Sequence, residues 1–195
     1  MSTITPEQQQ KIANYLATHE LPRGLGTEES ACSIAAINLS LSGKLTDVIP
    51  ACMSEAIGQW IIRVQDSMPK EMRNSYEWKQ LLPWAAGTGR TKEKERLRLI
   101  LNWMREKVLP EIQSIADQYG FGEKWQAMCT EKTADAAARA ADAADYAAYA
   151  ADYAAAYAAA RAAARAAYAA AYAATWKKFN PCELLAELIA CGEQP

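Results

Sequence analysis

The chain has 195 residues, of which 21 are basic and 23 are acidic, so its formal net charge at pH 7 is −2. This balance gives no electrostatic reason to expect binding to nucleic acid or to an acidic membrane surface. The sequence contains no long uncharged apolar run, and its polar start, MSTITPEQQQ, lacks the pattern of a secretory signal. We therefore expect a cytoplasmic protein without a membrane-spanning segment.

Residues suited to metal binding or catalysis are sparse. The five cysteines form no Cys-x-x-Cys pair, which is typical of free thiols in a reducing compartment. His19 is the single histidine of the sequence, so neither a zinc site nor a histidine-assisted nucleophile is expected. We predict no metal, no cofactor and no catalytic residues, and hence a protein that is not an enzyme.

Helical periodicity and capping residues recur through the first part of the chain. Thr5 and Gln8 have the spacing of a capping box at the start of a first helix. Thr27 is predicted to cap a second helix, which Gly43 ends. A third helix is predicted to begin at Pro50.

Two prolines fall within the helices predicted for the middle of the chain. A short helix is expected over residues 75–86, where Pro83 bends or divides it. Thr91 is predicted to cap a long helix that reaches Tyr119 and is kinked by Pro110. Its apolar face is expected to include Leu97, Ile100, Leu101 and Met104.

No segment shows the alternation of a β-strand, so the sequence predicts an all-α fold. Residues 1–130 form a tryptophan-rich helical bundle, and residues 131–179 a long alanine-rich helix. Residues 180–195, which begin with the cap Asn180, form a C-terminal helix that docks on the bundle. We expect these parts to constitute one domain overall.

The alanine-rich segment from Ala134 to Ala174 contains 28 alanines in 41 residues, and the other thirteen are Asp, Arg or Tyr. Alanine is the best helix former, so one long helix is expected. The other residues recur every three or four positions and form one stripe along it. The candidate binding residues of this stripe are Tyr146, Tyr149, Tyr153, Tyr157, Arg161, Arg165, Tyr168 and Tyr172.

Two interpretations of this helix remain open. In one, its alanine face packs against neighbouring helices or against a second copy, giving a self-assembling scaffold with a solvated stripe. In the other, the stripe is a recognition surface, since tyrosine gives contact area at low entropic cost and arginine adds planar donors. An ice-binding helix is disfavoured because only Thr133 and Thr175 flank the tract.

The recognition hypothesis predicts a protein partner or a small planar or anionic ligand. Nucleic acid fits less well, because acidic side chains share the surface and would repel phosphates. These acidic residues are Asp135, Asp142, Asp145 and Asp152. A second candidate anion site is the glycine-rich turn at Arg90, Thr91 and Lys92, where a helix begins, although it is not a Walker A loop.

Three stretches carry a family resemblance: GLGTEESACSIAAINLSLSG (24–43), AAGTGRTKEKERLRLILNWM (85–104) and NPCELLAELIACGEQP (180–195). Together with the alanine-rich tract, they resemble a group of alanine-rich proteins from bacteria and their phages. This group has no assigned activity, so the resemblance implies none. In composition and helical layout the chain is also loosely similar to alanine-rich immunity proteins. The resemblance implies a cytoplasmic role in conflict between bacteria and phages or rival bacteria, performed by binding.

Overall fold

The computed structural model describes residues 4–131 and 174–191, and within these ranges it contains helices and no β-strand. The predicted all-α fold class is thus confirmed for the described residues. The chain divides into two compact units, Met1–Leu101 with Asn180–Pro195, and Asn102–Phe179. This division comes earlier than residue 130, where the sequence analysis placed the end of the bundle.

The helices follow one another through the described ranges with short connections. In chain order they are α1 (Pro6–Thr18), α2 (Ser33–Ser42), α3 (Glu55–Ser67), α4 (Lys70–Arg73), α5 (Tyr76–Ala85), α6 (Glu93–Trp103), a π-helix (Met104–Val108), α7 (Leu109–Gln118), α8 (Gly122–Glu131) and α9 (Pro181–Ala190). Residues 174–179 are also helical.

Helix ends that depend on neighbouring residues match the sequence prediction. The Thr5 hydroxyl and the Gln8 side chain complete a reciprocal capping box at α1. Gly43 ends α2 in the left-handed conformation with φ 69°, which glycine adopts without steric cost. At α9 the Asn180 side chain accepts a hydrogen bond from the backbone N–H of Glu183.

The predicted starts of α2 and α3 were wrong. Thr27 and Ser30 exchange backbone hydrogen bonds in a turn, so α2 begins later, behind Cys32. Pro50 also lies in a turn, where its carbonyl accepts from a backbone N–H three residues on, and Ser54 caps α3 instead. In both cases a local turn forms backbone hydrogen bonds before the helix begins.

The long helix predicted from Thr91 is interrupted and starts later. The Lys92 carbonyl accepts the first helical bond, so Lys92 rather than Thr91 occupies the cap position of α6. Proline lacks an N–H, and Pro110 therefore cannot continue the usual ladder. The preceding turn is a π-helix, in which the Leu109 N–H reaches back to the Met104 carbonyl.

In the first unit, α1 packs against α2 and α5, while α9 packs against α3 and α5. Trp78 of α5 is fully buried, and its indole N–H donates to the Ser33 hydroxyl at 3.2 Å. α5 continues through Pro83, so the predicted division of this helix at the proline does not occur. The apolar side chains of α9 that enter the core are Leu184, Leu185 and Leu188.

Arg96 is a fully buried cation at the centre of this packing. Its Nε donates to the Leu188 carbonyl at 3.0 Å, and its Nη atoms donate to the carbonyls of Gly89 and Thr88, each at 3.1 Å. Leu188 lies in the last turn of α9, where carbonyls lack helical donors and positive charge is favoured. The guanidinium therefore joins α6, the preceding loop and α9.

The burial of Arg96 changes which face of α6 meets the core. Ile100, one turn later, is also buried, as predicted. Leu97 and Leu101 remain 51 % and 41 % exposed, and Met104 is 40 % exposed, so the predicted apolar face was wrong at these positions. The guanidinium requires carbonyl partners, and these lie only on the side of the helix that Arg96 and Ile100 share.

The second unit is organised by tryptophan side chains that bind backbone carbonyls. The Trp103 indole donates to the Phe179 carbonyl at 2.8 Å, and the two rings meet edge to face. The Trp125 indole donates to the Leu109 carbonyl at 3.0 Å, which joins α8 to the start of α7. Tryptophan combines a large apolar ring system with one N–H donor, so each contact buries apolar surface and also gives a carbonyl its hydrogen bond.

Replacing Arg96 by methionine should lower the free energy of unfolding by about 3 kcal/mol, because the buried carbonyl of Leu188 and the half-buried carbonyls of Gly89 and Thr88 lose their donor. Urea denaturation of the full chain measures this change. Arg98→Met, on the exposed side of the same helix, is the matched control and should have little effect. Equal losses in the two variants would contradict the role assigned to Arg96.

Cys182 predicts an alkaline loss of stability. Burial, assisted by the charge of Glu77, raises the pKa of Cys182 to about 11, from 9.0 for a free thiol. The folded state therefore retains the proton more tightly, and its advantage is complete below pH ~9 and lost as the pH rises towards ~11. After discounting for solvent screening, Cys182→Ser should flatten the stability curve across that window by about 1 kcal/mol. Parallel curves for the two proteins would contradict this prediction.

Candidate functional site

An open groove of about 740 Å³ runs along α1 and α5 in the first unit, and we call it the α1–α5 groove. Its α1 side is formed by Pro6, Gln9, Gln10, Ala13, Asn14, Leu16 and Ala17. Its α5 side is formed by Asn74, Tyr76, Lys79, Gln80, Pro83 and Trp84. The volume lies in the range usual for ligand sites in proteins.

Side-chain contacts at both ends fix the two helices antiparallel. The Lys79 ammonium donates to the His19 carbonyl at 2.9 Å, where α1 ends. Asn74 accepts from the Leu21 N–H at 2.7 Å and donates to the Leu21 carbonyl at 3.2 Å. At the opposite end, Gly87 lies beside Ile4, whose side chain an added Cβ would meet at 3.4 Å, an ordinary van der Waals distance. The groove therefore has a defined register.

The groove has an apolar floor and two aromatic walls. Leu16 and Pro83 are buried beneath it, and Ala13 adds a small side chain at its centre. Tyr76 and Trp84 remain 79 % and 55 % exposed although they are large aromatic residues. They lie eight residues apart on α5, about 12 Å along its axis. Exposed aromatic rings that flank a groove are typical of binding surfaces.

Amide side chains supply the polar groups of the groove. The Gln10 amide donates to Asn14 along α1 at 2.8 Å, which leaves part of both groups available. The side chains of Gln9 and Gln80 form no hydrogen bond with the described part of the chain. Each amide offers two donors and an acceptor. The groove can therefore give hydrogen bonds to a bound molecule and accept them from it.

Among the described residues, the lining of the groove carries one charged side chain, that of Lys79. Its ammonium is engaged by the His19 carbonyl, and burial lowers the pKa of Lys79 against a smaller opposing effect of Glu20. No carboxylate, imidazole or thiol is among the lining side chains. The groove thus combines apolar and neutral polar contacts, with little charge to select an ion.

The predicted anion site at Arg90, Thr91 and Lys92 is built differently from the expectation. Arg90 forms an ion pair with Glu55 at 2.8 Å, and Thr91 is exposed on the turn before α6. Lys92 is half-buried at the cap position of the helix. Thr91 and Lys92 thus lie at the start of α6 as expected, whereas Arg90 is paired with Glu55 of α3.

A carboxylate of the chain itself occupies the start of α3. Glu93 accepts hydrogen bonds from the backbone N–H groups of Glu55 and Ala56, at 3.0 and 2.9 Å. The Thr88 hydroxyl accepts from the Ser54 N–H at 3.0 Å in the same cluster. A helix start favours negative charge, and here Glu93 provides it. The turn and the first residue of α6 therefore hold the start of α3 in place through side-chain hydrogen bonds.

The stripe residues predicted as a binding surface lie outside the described residues. They are Tyr146, Tyr149, Tyr153, Tyr157, Arg161, Arg165, Tyr168 and Tyr172. The stripe consequently remains a prediction of the sequence. The α1–α5 groove, in contrast, was not predicted, although Tyr76 and Trp84 fall on the side of α5 opposite Trp78 and could have been noticed there.

Residues 4–131 and 174–191 contain neither a metal-binding cluster nor a membrane-spanning helix. No group of three or more His, Cys, Asp or Glu side chains in this part of the chain could hold a metal ion. No helix within it combines the length and apolar character needed to cross a membrane.

Changing Glu93 to glutamine should lower the free energy of unfolding by about 1–2 kcal/mol. The amide retains one acceptor oxygen but loses the charge and places a donor against a backbone N–H. Thermal unfolding of the full chain measures the effect. Glu95→Gln, two residues along α6, is the matched control, and a similar drop in both proteins would contradict the capping role.

No protein-family model, curated protein or solved structure matches this chain. Because no related protein indicates a function, the chemistry of the α1–α5 groove is the basis for inferring one.

Proposed function

We propose that this protein is a non-catalytic binding protein that holds a polypeptide segment of a partner protein in the α1–α5 groove. The observation that carries the proposal is the exposure of Tyr76 and Trp84 beside a groove whose amides at Gln9 and Gln80 have no described partner. Aromatic rings supply contact area at such sites, and amides supply hydrogen bonds.

The chemistry of the groove supports binding rather than catalysis. Nucleophilic and acid–base mechanisms require a reactive group beside a base or acid with a suitable pKa. The ionisable groups of the lining are the Lys79 ammonium and the Tyr76 hydroxyl, which lie among amides and apolar side chains. Because the Lys79 ammonium donates to the His19 carbonyl, it is also committed to the fold.

The length of the groove favours a polypeptide over a small planar ligand. Its α1 side extends from Pro6 to Ala17, about 16 Å along the helix axis. Amides are distributed along this length rather than gathered around one point, as the positions of Gln9, Asn14 and Gln80 show. An extended molecule with repeated polar groups would use this arrangement more fully than a compact one.

The proposed biological setting comes from the sequence resemblance alone. Residues 24–43, 85–104 and 180–195 resemble alanine-rich proteins of bacteria and their phages. We place the binding activity in a conflict between bacteria and phages or rival bacteria, as that resemblance implies. The groove is the surface that would bind the partner.

Selection of a random twelve-residue peptide library on the immobilised full-length chain tests the proposed function. Enriched peptides should bind the unmodified protein and lose about tenfold or more in affinity when Trp84 is changed to alanine, because a central aromatic contact disappears. Isothermal titration calorimetry of synthetic peptides provides the measurement.

Tyr119→Ala is the matched control, since Tyr119 is a 50 % exposed aromatic residue on the second unit. It should leave the affinities unchanged. A library that yields no enriched peptide, or peptides that bind the Trp84→Ala protein equally well, would contradict the proposed function.

A further inference from the structure

We infer that the segment held in the α1–α5 groove is extended rather than helical, uncharged, and contains proline. This inference rests on the function proposed above and specifies the chemistry of the partner. Three independent properties of the groove point to it: the available amides, the spacing of the aromatic rings, and the nearly neutral lining.

The amides favour an extended backbone. Gln9 on α1 and Gln80 on α5 face the groove from opposite sides without a described hydrogen-bond partner. A bound helix would already use nearly all of its backbone N–H and C=O groups internally. A segment in the polyproline II conformation has no internal hydrogen bonds, so its carbonyls remain free for such amides.

The positions of the two exposed aromatic residues along α5 suit the same conformation. Tyr76 and Trp84 lie about 12 Å apart along α5. Polyproline II rises about 3.1 Å per residue, so this distance corresponds to about four residues of the bound segment. Proline rings pack well on exposed aromatic faces, and proline reduces the entropy lost when the segment is ordered. Two prolines about four positions apart would therefore span the separation of these two residues along α5.

The charge of the groove excludes strongly acidic or basic segments. Lys79 is its one charged lining residue, and its ammonium is occupied by the His19 carbonyl. A buried carboxylate or ammonium on the partner would lose hydration without a free counter-charge to replace it. Neutral polar residues between the prolines match the amides of Gln9 and Gln80 instead.

Three synthetic twelve-residue peptides test the inference on the full chain. The first is uncharged, with two prolines four positions apart and Gln or Ser elsewhere; the second has both prolines changed to alanine. The third keeps the prolines and has two glutamates between them. In calorimetric titrations the first should bind at least about fivefold more tightly than each of the others.

Protein variants assign the binding to the groove. Tyr76→Ala and Trp84→Ala should each weaken the first peptide by about tenfold, and Gln80→Ala by about threefold. Tyr119→Ala and Gln118→Ala, on the second unit, are the controls and should bind it as the unmodified protein does. Circular dichroism of the variants verifies that each remains helical.

The outcomes separate this inference from the function on which it rests. If library peptides bind through Trp84 but are helical, or if the alanine or glutamate peptide binds as tightly as the first, the inference is wrong and the proposed function stands. If no peptide binds in a manner that depends on Trp84, both are wrong.

Discussion

The first unit depends on how the end of α1 is attached to the start of α5. The carbonyls of His19 and Leu21 have no helical donors, and side chains from the segment around α5 provide them: Lys79 binds the first, while Arg73 and Asn74 bind the second. A buried carbonyl without a partner costs about 1–3 kcal/mol, so these contacts leave little freedom in the register. The antiparallel pair, and hence the groove between its helices, follows from that constraint.

The sequence predicted several helix ends that are determined locally, although the turns at Thr27 and Pro50 were mistaken for helix starts. The caps at Thr5 and Asn180 and the left-handed end at Gly43 need only neighbouring residues, and all three were predicted. Arg96 could not be identified as a core residue, because its carbonyl partners come from the preceding loop and from α9, far along the chain. A helical wheel assigns an arginine to the solvent side unless those partners are known. The choice of face on α6 failed at Leu97 for the same reason.

The candidate site was only partly accessible to sequence reasoning. The positions of Tyr76 and Trp84 opposite Trp78 on α5 reveal two exposed aromatic side chains, so this half of the site was available from periodicity alone. The pairing of α5 with α1 was not available, because nothing local to Gln9 indicates which helix faces it. The tyrosine stripe stands out in the sequence because its segment contains only four residue types. The amides of the groove stand in ordinary sequence and give no such signal.

The interior of the first unit and the α1–α5 groove share one kind of polar chemistry. Arg96, Arg73 and Asn74 join helices by binding backbone groups rather than opposite charges. Such bonds depend on geometry and on exposed main-chain groups, and they are nearly independent of the partner's side chains. Gln9 and Gln80 present the same amide chemistry to the outside. If the groove binds a partner as proposed, these amides would contact the partner's backbone, and specificity would come from shape and from the aromatic walls. That division of roles is the reason to expect an extended segment with proline, whose main chain has no internal hydrogen bonds and whose rings are compact and apolar.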